Sequence, residues 1–179
     1  MRALRTLALL PLILLSLLGS NAALAERLYQ VEVIVFRQSG ENGSGGQLPP
    51  DNWAQNALPV DASSSRAPTL TSAASKLNPA NGYQVLLHQA WSQGLGDSTS
   101  SVAISTGNEQ FGHYPVQGRI SLSGDSLIEL DSDIWVNQFD QSGILNASER
   151  IKQSRRLKSG ELTFVDNGSL GLLIRVSPL

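Results

Sequence analysis

The chain has 179 residues, with 13 Lys and Arg against 15 Asp and Glu, a formal net charge of -2, and no cysteine. The missing thiols exclude disulfides, thiol catalysis and zinc-thiolate sites, so packing alone must hold the fold. A weakly acidic balance also argues against broad nucleic-acid binding, which depends on neutralising many phosphates.

The N-terminus has the three parts of an export signal: a basic stretch with Arg2 and Arg5, an uncharged apolar run from Leu7 to Leu18, and the small-residue exit Ala23-Leu24-Ala25. Cleavage is predicted between Ala25 and Glu26. The apolar run is well short of the roughly 20 residues a helix needs to cross a bilayer, so no permanent membrane anchor is expected. Leu18-Gly19-Ser20-Asn21 stands where a lipoprotein carries its Cys, so no lipid anchor is expected either. Residues 1-25 are therefore read as a signal peptide and 26-179 as one exported domain, since about 154 residues suffice for one core but hardly for two.

Leu28 to Phe36 reads as a central strand, with Tyr29, Val31, Val33 and Val35 on one face and Gln30, Glu32, Ile34 and Phe36 on the other. From Gln38 to Thr69 the periodicity vanishes into Gly, Ser, Pro and Asn. This composition favours a flexible loop over a binding lid, with Trp53 as its one tether. Thr69 or Thr71 is placed to cap a short helix through Leu77, which Asn78-Pro79 stops, and Asn81-Gly82 turns the chain into a strand from Tyr83 to Trp91. Gly94 to Gly112 reads as a variable loop with at most a short strand near Val102 to Ile104. Val116 to Leu122 and Leu127 to Val136 form the clearest hairpin, joined by Ser123-Gly124-Asp125-Ser126. Arg150 to Lys158, Glu161 to Val165 and Gly171 to Ser177 continue the β-rich pattern. The fold class predicted is α+β: a single domain of mainly antiparallel β-sheet, with one short covering helix and long polar loops.

Two charged groups stand out. Glu129, Asp131 and Asp133 alternate along one strand face with Trp135 next in line, while Ile128, Leu130, Ile134 and Val136 take the other face. A strand ladder cannot wrap a cation without partners from elsewhere, so a solvated face is favoured over a calcium site. Arg150, Lys152, Arg155, Arg156 and Lys158 crowd a second segment. They fit either a cross-strand charge ladder with the three acids or an anion-binding face, because the planar Arg fork grips carboxylates in pairs and cell-wall polymers carry many. His88 and His113 have no partner at metal-ligand spacing, and each reads as a satisfied or solvent-facing histidine. No nucleophile elbow, phosphate loop or Ser-x-x-Lys motif is present, so neither an enzyme nor a metal or other cofactor is expected.

The segments Tyr29-Gln-Val-Glu-Val-Ile-Val-Phe36, Gly82-Tyr-Gln-Val-Leu-Leu-His-Gln-Ala-Trp91, Leu130-Asp-Ser-Asp-Ile-Trp135 and Ser154-Arg-Arg-Leu-Lys-Ser-Gly-Glu-Leu-Thr-Phe-Val-Asp166 resemble the CsiV family of proteobacterial periplasmic proteins. The sequence departs from the family's usual pattern at Asp166-Asn167-Gly168, at Phe164 and at Ser92-Gln93-Gly94. The resemblance implies a non-enzymatic, periplasmic, peptidoglycan-binding protein. It also implies work with the outer-membrane lipoprotein LpoA in support of a class A penicillin-binding protein. It supplies no site residues, so the expected ligand face is the one read from the residues themselves: Arg150, Lys152, Arg155, Arg156 and Lys158, with aromatic support from Trp91 or Trp135. The competing readings are a protein-interaction module without glycan binding and a hydrolase using a pair among Glu129, Asp131, Asp133 and Glu161.

Overall fold

The computed structural model describes residues 27-40, 46-124 and 127-179. The predicted signal peptide, part of the Gly/Ser run and two residues of the central hairpin turn lie outside them. β-Branched and aromatic residues alternating with polar ones produce strands: β1 (Arg27–Gln38), β2 (Leu58–Pro59), β3 (Tyr83–Leu95), β4 (Ser100–Thr106), β5 (Val116–Ser123), β6 (Leu127–Phe139), β7 (Leu145–Lys158), β8 (Leu162–Asn167) and β9 (Leu170–Pro178). They form a four-stranded sheet in the order β3-β1-β9-β8 and a five-stranded sheet in the order β2-β4-β5-β6-β7. Every pairing is antiparallel except that of the two-residue β2 beside β4.

The predicted inward face of β1 packs with residues of the other sheet, including Ile120, Leu122, Ile134 and Ile151, in one hydrophobic cluster. The strand is central, as expected, and its outward face is buried too at Glu32, Ile34 and Phe36. The mainly antiparallel domain with one short helix is the fold observed. The helix is a single turn, Thr71–Ala74, with no buried residue, so the second sheet covers the core and the turn does not.

Neither threonine caps that turn. Leu70 occupies the capping position without a side-chain bond, while the Thr69 hydroxyl donates to Glu32 Oε2 at 2.7 Å. A buried carboxylate on a neighbouring strand is the stronger acceptor, and taking it ties the chain before Thr71 to the outward face of β1. The stop is as predicted: Asn78 accepts from the amide of Asn81, and Gly82 sits at φ 78° to turn the chain into β3.

Two polar stretches carry more structure than their composition suggested. The predicted variable loop contains the full strand β4, whose Val102 and Ile104 are buried between outward Ser101, Ala103 and Ser105. The stretch expected to be flexible is tied down in its described part. The Asp61 carboxylate accepts from the hydroxyls and amides of Ser63 and Ser64, which hold its pKa down to about 2. The Arg66 and Ser92 amides donate to Ala90 and Ser64 carbonyls, and the expected tether, Trp53, donates its indole N–H to the Gly112 carbonyl at 3.1 Å. Serines that satisfy each other's backbone read as low complexity in sequence.

A candidate binding face on the five-stranded sheet

The register of β6 and β7 sets Glu129 opposite Arg156, Asp131 opposite Ser154, Asp133 opposite Lys152 and Trp135 opposite Arg150. Ile128, Leu130, Ile134 and Val136 turn into the core as the alternation predicts. Arg150, Lys152, Arg156 and Lys158 therefore share the outward face with the three acids and Trp135. Arg155 does not, because its odd position in the strand sets it opposite Leu130 on the other side of the sheet. Trp91 is also excluded. It is fully buried in the core beside Leu87 and Leu95, with its indole N–H bonded to Gln93 Oε1 at 2.8 Å.

The charge ladder exists and is incomplete. Arg150 grips Asp133 with Nε and Nη2 at 2.7 and 2.8 Å, and its guanidinium lies 4.7 Å from the centre of the Trp135 ring. The hydrogen bond to Asp133 raises the Arg150 pKa above its ordinary value against the opposing effect of burial. Arg156 meets Glu129 at 2.7 Å, and Lys158 meets Glu161 at 3.7 Å. Both are exposed pairs of the kind that contribute about 0-1 kcal/mol. Among the described residues Lys152 and Arg119 have no carboxylate within ion-pair distance. Arg119 on β5 is paired in register with Asp133, which Arg150 already holds. The outward face of β5–β7 thus presents Arg119, Arg150, Lys152, Arg156 and Lys158 against Glu129, Asp131 and Asp133, an excess of positive charge on a chain whose net charge is -2.

A strap running from residue 47 to 55 crosses one end of this face and forms, with Arg119, Asp133, Trp135 and Arg150, a half-open pocket of about 270 Å³. Trp53 holds the strap through its bond to Gly112 and an edge-on contact with Tyr114 at 6.1 Å. Arg119 Nη1 donates to the Gln55 carbonyl at 3.0 Å. Two donors beneath the strap, Arg119 Nε and Trp135 Nε1, are buried without a hydrogen-bond partner among the described residues. Sequence reasoning missed Arg119, although it is the only charged residue in β5 and the predicted hairpin places it across from the acidic strand.

The histidines are satisfied, as expected. His88 Nε2 lies 2.7 Å from Glu32 Oε1, and His113 Nδ1 lies 3.0 Å from Gln117 Nε2. A model of the CsiV family, described as a peptidoglycan-binding protein, matches residues 6-67 and 54-179. No curated protein and no solved structure gave a match.

Proposed function

The chain belongs to the CsiV family of peptidoglycan-binding proteins, and on that premise we propose that it works in the periplasm without catalysis, holding peptidoglycan against the outward face of β5–β7. The observation that carries this reading is the excess of cations around Trp135 on that face. Arg forks match carboxylates, whereas Trp135, 2% exposed, braces Arg150 and does not itself offer a ring to a sugar. The predicted signal peptide supports export, and the family resemblance supports a role beside an LpoA-type lipoprotein and a class A penicillin-binding protein.

Sedimentation with purified sacculi tests the binding. Wild type pellets at low salt and is released as salt rises, since the contacts are ionic, and Lys152→Ala with Arg156→Ala pellets less. Wild type that stays in the supernatant at low salt refutes the reading. Release of soluble product from labelled sacculi, abolished by Asp131→Asn, would overturn the non-catalytic part. Crosslinking in the native envelope, followed by identification of the captured proteins, tests the partner.

A further inference from the structure

Resting on the reading that this face binds peptidoglycan, we propose that the cavity beneath the 47-55 strap seats a carboxylate of the peptidoglycan stem peptide, held by the Nε edge of Arg119 and the indole N–H of Trp135.

Three observations converge there. The first is the pair of orphaned donors: Trp135 is only 2% exposed, and among the described residues neither its Nε1 nor Arg119 Nε has a partner. Buried donors are costly to leave unmade, and native structures rarely keep two lining one pocket without a use. The second is charge. Arg119 spends Nη1 on the neutral Gln55 carbonyl while Asp133, its partner in register, is occupied by Arg150. The Nε edge of Arg119 is thus a free fork on an unpaired cation, and a planar carboxylate is its geometric complement. The third is size. About 270 Å³ is just below the roughly 300 Å³ at which small-molecule sites begin, so the cavity suits one end group of a polymer rather than a run of sugars.

The strap is the element that admits the ligand. Both donor nitrogens are closed off as the strap lies, so a carboxylate reaches them only when the strap shifts. Its described attachments are the Trp53 and Gln55 hydrogen bonds, the approach of Asp51 to His113 Nε2 at 3.7 Å and the Tyr114 contact, with Gly46 just before it donating to the Ser148 carbonyl. A charge-assisted pair at Arg119, roughly twice as strong as a neutral hydrogen bond, offsets contacts given up in that shift.

Calorimetric titration with three soluble probes decides the matter: a disaccharide-tetrapeptide muropeptide, the same compound with its peptide carboxylates amidated, and the peptide-free disaccharide, whose lactyl group is its sole carboxylate. Wild type is expected to bind the first about tenfold or more tighter than either of the others. Arg119→Gln and Trp135→Phe each remove most of that difference. The indole N–H resonance of Trp135 in wild type shifts on titration, which keeps the test sound if a variant folds poorly. Equal affinity for the amidated probe, or an unmoved Trp135 resonance, overturns the seat. Equal affinity for the peptide-free disaccharide overturns the stem-peptide assignment. Any of these results with sacculus binding intact refutes this proposal alone, whereas loss of sacculus binding by wild type refutes the reading beneath it.

Discussion

Replacing Glu32 by Gln should cost the fold several kilocalories, and the loss should depend on pH. Glu32 lies on the outward face of β1, 1% exposed. Its Oε1 accepts from the Thr69 amide at 3.0 Å, the Leu70 amide at 2.8 Å and His88 Nε2 at 2.7 Å. Its Oε2 accepts from the Thr69 amide at 3.0 Å and the Thr69 hydroxyl at 2.7 Å, with Arg175 at 3.8 Å. A Gln amide turned either way places an NH2 among groups that donate. One or two charge-assisted bonds at about 1.5-3 kcal/mol each are lost, for about 2-4 kcal/mol after partial relaxation. At roughly 2-4 °C per kcal/mol for a domain of this size, the unfolding midpoint drops by about 5-15 °C.

The pH dependence has a definite sign. Burial would raise the Glu32 pKa, but the hydrogen bonds from Thr69, Leu70 and His88 outweigh it and hold the value below the ordinary 4.5. A depressed folded pKa contributes stability that is present above the ordinary carboxylate value and lost as pH falls through the folded one. Thermal unfolding of both proteins by circular dichroism at neutral pH and at steps below 4.5 should show the gap narrowing with acid. A neutral-pH loss under about 1 kcal/mol, or a gap that does not change with pH, would refute the reasoning.

Other substitutions probe the second sheet. Arg150→Lys keeps the charge but loses the fork on Asp133 and the stack on Trp135, so urea unfolding should show about 1-2 kcal/mol less stability; an unchanged midpoint would mean the pair behaves like an exposed one. A Cβ at Gly118 would lie 2.4 Å from the Asp133 carbonyl oxygen and 2.6 Å from the Ile134 Cα, backbone atoms that cannot step aside. Gly118→Ala should therefore destabilise by about 1-3 kcal/mol in the same assay, and a neutral result would show that β5 and β6 separate easily. Lys152→Ala should weaken low-salt pelleting with sacculi, while Arg155→Ala, on the opposite side of β7, leaves it unchanged. The reverse pattern would move the binding face to the other side of the sheet.

Period-two patterning carried far in this chain because every strand except the exposed two-residue β2 has a face in the shared core. β1, the β5–β6 hairpin and the inward set Ile128, Leu130, Ile134 and Val136 were legible for that reason. β4 was not, since a strand with two large apolar residues among serines has the composition of a loop until β5 pairs with all of it. The basic cluster was legible as a list of residues but not as a surface. Pleat parity separates Arg155 from Arg150, Lys152, Arg156 and Lys158, and burial removes Trp91.

By itself, then, the sequence determined which residues alternate, that packing without disulfides must hold them, and that acids and bases sit on strands able to face one another. These are local properties, set by side-chain chemistry and spacing along one strand. Only the tertiary structure decided that two sheets cover each other, that Glu32 draws Thr69 away from capping a helix, and that the 47-55 strap lies over Arg119 and Trp135 to enclose their unpaired donors. Each depends on hydrogen bonds and contacts between segments far apart in the chain, where no local period records the partner.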